Sequence, residues 1–154
     1  MHGQNDSARR LVQHGADVNA RDSNDVSPLM YAIGTHNSEM LALLMRKDAD
    51  LEALSVQTKM TPLILAVEIG DTDAMMILLK NGLNINRTNH EGYTPLMAAA
   101  ESGRARVVEV LLDRGAEPEA KDYKGKTALM LAQKNCHTEV VQAQQNAETV
   151  DFFQ

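Results

Sequence analysis

The chain has 154 residues, the length of a single domain. Its 15 basic and 21 acidic residues give a formal charge of −6, which argues against binding to nucleic acid or to an anionic membrane surface. A single cysteine, Cys136, excludes an internal disulfide and indicates a reducing compartment, so we expect a cytoplasmic or nuclear location.

Apolar residues make up 44 % of the chain but aromatic residues only 3 %. A core of Leu, Ala, Val, Ile and Met with almost no rings indicates thin, closely spaced elements, such as helices stacked in a regular array. No apolar run approaches the roughly 18 residues of a membrane-spanning helix, and the N-terminus lacks the apolar segment of a signal peptide.

The sequence repeats with a period of 33 or 34 residues. A Ser/Thr-Pro/Ala-Leu motif begins at Ser27, Thr61, Thr94 and Thr127, and a Gly or Asp followed by Ala or Leu recurs at Gly15, Asp48, Gly82 and Gly115. Both series contain one extra residue within 51–60, which we interpret as a loop insertion. We therefore divide the chain into a partial repeat (1–25), three full repeats (26–59, 60–92 and 93–125) and a degenerate C-terminal capping repeat (126–154).

Each full repeat predicts two short helices, as the repeat at 60–92 illustrates. The Thr61 hydroxyl caps the first helix, and Gly70 ends it with a positive φ. A second helix over 71–81 ends at Gly82, and Gly92 allows a tight turn before the next repeat. Helices of about eight to ten residues are not stable alone, so the repeats must stack side by side.

This unit resembles the ankyrin repeat, whose pattern is Thr-Pro-Leu-His, an Ala pair, Gly, a Val/Leu-rich helix and Gly-Ala-Asp-x-Asn-Ala. The best matches are residues 94–116 and residues 15–20, and the resemblance covers nearly the whole chain. It implies an all-α repeat solenoid in which helix–turn–helix pairs, joined by β-hairpins, form a curved array.

Several positions depart from the ankyrin pattern. The pattern's His is replaced at Met30, Ile64, Met97 and Met130, so we expect its hydrogen bond to the Thr region to be absent and the Met side chains to fill a slot near the core. His36 and Cys136 replace the glycine between the helices, and we expect altered geometry at Cys136. Asp48 replaces the closing glycine.

The sequence also predicts how the array begins and ends. Gly3 matches the glycine between two helices, so the chain is either a fragment of a longer array, which we favour, or a stack capped by a lone second helix. Gln142, Gln144 and Gln145 occupy slots filled elsewhere by Glu109, Leu111 and Leu112, and we expect them to make the last helix a polar cap. For the tail with Phe152 and Phe153, three interpretations stay open: it packs on that helix, it is disordered, or it begins a further segment.

No residue pattern indicates catalysis. The five His residues lack metal-binding spacing, and the glycines form no nucleotide-binding motif. Cys136 beside His137 lies in a turn, and a pair of acid and base carboxylates would need a cleft that we do not expect the array to form. We therefore expect no catalytic residue, no metal and no cofactor.

Partners of ankyrin repeats usually contact hairpin tips and the exposed face of the first helices. The corresponding residues near the hairpins are Ser23, Asn24, Val26, Met60, His90, Glu91, Tyr93, Tyr123, Lys124 and Lys126; those at the first-helix ends are Glu68, Ile69, Glu101, Ser102, Lys134 and Asn135. Val26, Met60 and Tyr93 either form an apolar strip for a partner or cover the hairpin backbone. Asn19 and Asn86 occupy a slot that is hydroxylated in some ankyrin proteins, or they only bond their own turns.

We therefore expect a monomeric, non-catalytic scaffold or interaction module for a protein partner of unknown identity. The alternative is the recruiting or substrate-binding arm of a larger multidomain enzyme, or of a secreted bacterial effector that acts in a host cell. A small kinase-inhibitor array and an oligomerisation element remain further alternatives.

Overall fold

The computed structural model describes residues 9–51, 53–55 and 59–151, with the backbone alone for 148–151. Its described part is helical and contains no β-strand. The helices are α1 (9–13), α2 (Pro28–Gly34), α3 (Ser38–Arg46), α4 (Pro62–Ile69), α5 (Thr72–Lys80), α6 (Pro95–Glu101), α7 (Ala105–Asp113), α8 (Ala128–Lys134) and α9 (Thr138–Asp151). No helix in these ranges is long and apolar enough to cross a membrane.

The helices stack in two layers, which confirms the all-α repeat solenoid. The first helices pack in the order α2, α4, α6, α8, while α3 packs on α5 and α7 on α9. Ala66, Ala99 and Ala132 are fully buried in the first-helix layer, where a larger side chain would force the helices apart. We call the surface formed by the first helices and the connecting hairpins the inner face.

The first helices begin at the predicted caps. The hydroxyl oxygens of Ser27, Thr61, Thr94 and Thr127 each accept a hydrogen bond from the backbone N–H three residues later, at 3.1–3.3 Å. The residues that replace the pattern's His were expected to make no side-chain hydrogen bond to the Thr region. This expectation is wrong at Met97, because its thioether Sδ accepts the Thr94 backbone N–H at 3.4 Å. Sulfur is a weak acceptor, so Met97 takes over the role of the His in part.

The left-handed positions follow the repeat, whether or not they are glycine. Gly70, Gly82 and Gly92 have φ of 77°, 87° and 73°, as predicted. The expected change of geometry at Cys136 is wrong: its φ of 59° lies in the same left-handed region as Gly70. The backbone of the repeat therefore imposes this conformation even on a side chain that disfavours it.

The connecting hairpins are held by side chains instead of by a strand ladder. Asp22, Asn89 and Asp122 lie at equivalent positions, and Oδ1 of each accepts the backbone N–H groups two and four residues later at 2.8–3.0 Å. Such Asx turns satisfy backbone groups that a ladder would otherwise pair, so no strand is needed.

Adjacent hairpins are also joined to each other. Oδ1 of Asn19 accepts the backbone N–H of Asp50 at 2.7 Å, and Oδ1 of Asn86 accepts that of Glu117 at 3.0 Å. The expectation that these asparagines only bond their own turns is therefore wrong, since both reach the following repeat.

Two expectations about the C-terminal repeat are also wrong. Gln144 is not part of an exposed polar cap: it is only 2 % exposed, because its register places it in the slot that Leu44, Leu78 and Leu111 fill in the other repeats. Met130 does not fill a near-core slot but is 51 % exposed, since the part of the chain that the structure describes includes no further repeat to cover it. The expectations for Gly3, Phe152 and Phe153 fall outside the described residues.

Candidate functional site

The predicted hairpin-tip residues lie at the surface. Ser23, Asn24, His90 and Lys124 are exposed, and Tyr123, at 80 %, is the most exposed large apolar side chain among the described residues. The Tyr123 ring lies over Gly92 of the preceding hairpin, where an added Cβ would come within 2.8 Å of ring atom Cδ1. The glycine thus allows an aromatic ring to lie along the row of hairpins.

Hydrogen bonds to main-chain carbonyls join successive hairpins. The backbone N–H of Tyr123 donates to the carbonyl oxygen of Glu91 at 2.9 Å. Nδ2 of Asn89 donates to the carbonyl oxygen of Lys59 at 2.8 Å. These two bonds connect three successive hairpins into a row.

The repeated position Val26, Met60, Tyr93 and Lys126 is half-buried in every repeat. The carbonyl oxygen of each of these residues accepts a hydrogen bond from the backbone of its own hairpin. Met60 and Tyr93 also pack against the core. Each of these side chains leaves part of its surface exposed, and an apolar strip that a partner contacts stays a prediction.

A cavity of about 250 Å³ lies on the inner face between the second and third full repeats. It brings together five predicted residues with three that the sequence analysis did not select: Met60, Glu68, Glu91, Tyr93 and Glu101, together with Lys59, Ile64 and Asn89. The expectation that the array forms no cleft is therefore wrong. Three carboxylates, those of Glu68, Glu91 and Glu101, line this cleft. Within the described ranges, however, no group of His, Cys, Asp or Glu side chains could hold a metal ion.

Tyr93 joins one wall of the cavity to the end of α6. Its hydroxyl donates a short hydrogen bond to Oε2 of Glu101. Burial is the main cause that raises the pKa of Tyr93, and the hydrogen bond and charge of Glu101 raise it further. The phenol therefore remains protonated and keeps one oxygen of Glu101 engaged.

Glu68 and Glu101 lie at the ends of first helices, and side chains of the following repeat contact the main-chain carbonyl of each. Nη2 of Arg104 donates to the carbonyl oxygen of Glu68 at 2.7 Å. Nδ2 of Asn135 donates to the carbonyl oxygen of Glu101 at 3.0 Å, and Nε2 of His137 lies 3.0 Å from the same oxygen. Burial raises the pKa of Glu68, and the charge of Glu101 raises it further.

An ion pair lies at the hairpin side of the cavity. Nζ of Lys59 is 2.7 Å from Oε1 of Glu91, and this hydrogen bond lowers the pKa of Glu91. Lys59 occupies the left-handed turn position that is Gly92 in the next repeat, with a φ of 56°. Aligning the turn positions of the repeats marks Lys59 as a residue other than glycine at a left-handed position, but it does not show the pairing with Glu91.

The remaining predicted residues do not line the cavity. Ile69 packs against the core, which makes it a structural residue in part. Ser102, Lys134 and Asn135 are exposed at the first-helix ends, and Asn135 is engaged with Glu101 as described above. The predicted set is thus a row of tips and helix ends, and five of its members line the cavity between the second and third full repeats.

Two models of ankyrin repeats match the chain, one of three copies over residues 48–122 and one of many copies over residues 1–45. An ankyrin repeat protein of fowlpox virus is 32 % identical over 90 residues, which are 57 % of this chain and 26 % of that protein. The mouse B-cell lymphoma 3 protein homolog is 30 % identical over 76 residues, 49 % of this chain and 17 % of that protein. Delta-latroinsectotoxin-Lt1a of Latrodectus tredecimguttatus is 32 % identical over 84 residues, 53 % of this chain and 7 % of the toxin. The matched segments therefore span about a quarter or less of each relative.

Proposed function

Because the chain belongs to the ankyrin repeat family, we propose that it binds a protein partner through its hairpin tips and inner face and carries out no catalysis itself. Ankyrin repeats are generally protein–protein interaction modules and are typically non-catalytic. The single cysteine fits a reducing compartment, so we place this interaction in the cytoplasm or nucleus, with the chain acting as a monomer.

The observation that carries this proposal is the placement of Tyr123 beside the inner-face cavity. Tyr123 is 80 % exposed on a hairpin that is bonded to the hairpin of Glu91, and Glu91 lines the cavity. Tyrosine is enriched at protein interfaces because it offers a large apolar surface and a polar tip with few rotatable bonds. A rigid row of tips lowers the entropy lost on binding.

Affinity capture with the intact chain tests the proposed surface. We expect Tyr123→Ala to remove most of the captured partner, because truncating an interface aromatic typically costs more than about 1 kcal/mol of binding free energy. Tyr93→Phe keeps the half-buried ring and removes only the hydroxyl bonded to Glu101. Arg106→Ala, on the exposed side of α7, is the matched control and should capture as much partner as the parent chain. Equal capture by Tyr123→Ala and Arg106→Ala would show that the tips do not form the interface.

The second candidate is a recruiting arm within a larger enzyme or a secreted effector. It is supported by the length of the relatives, of which the matched segments cover 26 %, 17 % and 7 %. Reading the complete gene tests it: an adjoining catalytic domain in the same reading frame would support the arm, and the absence of any further domain would rule it out.

A further inference from the structure

The inner-face cavity combines an apolar floor, an aromatic side chain and three carboxylates, of which Glu91 is paired with Lys59. Ile64 is buried beneath it, Met60 is half-buried, and Tyr93 lines one side. Glu68 and Glu101 come from the ends of α4 and α6, so adjacent repeats each contribute one further carboxylate. A purely apolar ligand would desolvate Glu68 and Glu101 without supplying a compensating charge, whereas a small anion would be repelled.

The basic side chains around the cavity do not neutralise these two carboxylates. Lys59 is paired with Glu91, and Arg104 donates to the main-chain carbonyl of Glu68. Within the described residues neither Glu68 nor Glu101 forms a salt bridge with a basic side chain. The charges that act on the Tyr93 hydroxyl come from Glu101, Glu68 and Asp122, which are all acidic.

We propose that the inner-face cavity binds an arginine side chain of the protein partner, with the guanidinium against Tyr93 and paired with Glu68 and Glu101. This inference rests on the proposed function and specifies the chemistry of the partner. A guanidinium is planar, stacks on aromatic rings and presents five N–H donors, which suits a cavity with one ring and two carboxylates that no basic side chain pairs with. A cavity of about 250 Å³ has room for one such side chain.

The main chain that carries both carboxylates is held in place before the ligand arrives. Arg104 fixes the main chain at Glu68, and Asn135 fixes it at Glu101. The Tyr93 hydroxyl engages Oε2 of Glu101 and leaves Oε1 for a further donor. A site that needs little ordering retains more of its interaction energy as affinity.

The folded chain holds Glu68 in an unfavourable environment that a bound cation would relieve. Burial and the charge of Glu101 raise the pKa of Glu68, so the charged carboxylate is less stable here than in the unfolded chain. Replacing it with a neutral amide should therefore leave folding stability unchanged or improve it. A loss of binding in Glu68→Gln alone cannot then be attributed to unfolding, so this single variant is titrated beside the double variant.

NMR titration of the full chain with the peptide acetyl-Gly-Gly-Arg-Gly-Gly-amide tests the proposal, and the same peptide with citrulline is the neutral control. We expect the arginine peptide to shift the amide resonances of Ile64, Glu68 and Tyr93. The citrulline peptide should leave them in place. Combining Glu68→Gln with Glu101→Gln should weaken binding at least about tenfold.

The matched control variant combines Glu109→Gln with Glu119→Gln, which removes the same charge at exposed sites away from the cavity. It should bind the arginine peptide within about twofold of the parent, because exposed, distant charges are screened. The proposal is overturned if neither peptide shifts the cavity resonances, if citrulline binds as well as arginine, or if both double variants lose affinity equally. Failure here with retained dependence of capture on Tyr123 would refute the arginine site and leave the interaction module intact.

Discussion

Gly70 is constrained both by its own backbone and by a neighbouring repeat. Its φ of 77° is left-handed, and an added Cβ would lie 2.7 Å from Cζ of Arg104. The same guanidinium donates to the carbonyl oxygen of Glu68, so any displacement of Arg104 would break a contact between repeats. Gly82 is left-handed as well, at 87°, but nothing lies within 4 Å of its added Cβ.

These two glycines separate backbone strain from steric conflict. Gly82→Ala should lower the free energy of unfolding by about 1–2 kcal/mol, the cost of a left-handed alanine. Gly70→Ala should lower the free energy of unfolding by about 1 kcal/mol more than Gly82→Ala, since it also disrupts a charge-assisted hydrogen bond. Urea denaturation measures both losses.

An Arg104→Ala background provides the control for this comparison. In that background Gly70→Ala and Gly82→Ala should lower the free energy of unfolding by the same amount, because the side chain that collides with the new Cβ is gone. If the two substitutions lower the free energy of unfolding of the parent chain equally, the contact between Gly70 and Arg104 does not contribute to stability.

At the scale of the element, one side chain organises each of three hairpins. Asn89 is 9 % exposed; its Oδ1 accepts the N–H groups of Glu91 and Tyr93, and its Nδ2 donates to Lys59. Asp22 and Asp122 supply the same oxygen without the donor. The turn therefore requires the acceptor, while the donor adds a link to the preceding hairpin.

Substitution at Asn89 should separate these two roles. Asn89→Ala removes three hydrogen bonds and should lower the free energy of unfolding by about 2–3 kcal/mol. Asn89→Asp keeps the acceptor and should retain more of the stability. Hydrogen exchange at the Tyr93 amide is the direct readout: it should become faster in the alanine variant and stay slow in the aspartate variant. Similar exchange in both variants would mean that the side-chain oxygen does not hold the turn.

At the scale of the whole molecule, the last repeat contains a polar residue in an apolar slot. Gln144 is 2 % exposed, and neither Oε1 nor Nε2 has a hydrogen-bond partner among the described residues. Leu44, Leu78 and Leu111 fill the equivalent slots and are fully buried. An unpaired buried amide opposes folding by about 1–3 kcal/mol.

Gln144→Leu should therefore raise the free energy of unfolding by about 1–2 kcal/mol, or the melting temperature by about 2–6 °C. Gln145→Leu is the matched control: Gln145 is exposed, so its replacement should change stability by no more than about 0.5 kcal/mol. Thermal denaturation of the two variants measures the difference. A gain at Gln145 equal to that at Gln144 would point to general hydrophobicity of α9 as the cause.

The sequence predicted the features that depend on a single repeat. Thr61 and Thr94 cap helices, and Gly70 and Gly92 are left-handed, because each of these properties follows from the residue and its neighbours in the chain. Features that depend on contacts between repeats were missed. The polarity of Gln144 suggested exposure, but packing of α9 on α7 and α8 places it inside.

The residues of the candidate site fall into the same two groups: those that the repeat pattern predicts and those that depend on contacts between repeats. Met60 and Tyr93 were recognised because their position recurs with the period. Lys59 and Asn89 were not, since their part in the cavity comes from bonds across two hairpins, to Glu91 and to the Lys59 carbonyl respectively. A periodic pattern identifies equivalent positions but does not show which neighbouring side chains close a cavity between them.

The left-handed positions of the two halves of the chain differ in the side chains they carry. Among the described residues, four of the five positive-φ residues that are not glycine fall between 25 and 59, whereas most equivalent positions after 70 are glycine. Three of those four side chains reach a polar partner: Asp25 with Arg21, His36 with Asp71 and Lys59 with Glu91. Replacing any of these three residues with glycine would relieve the left-handed backbone but remove a polar contact, so the substitution has two opposing effects on stability.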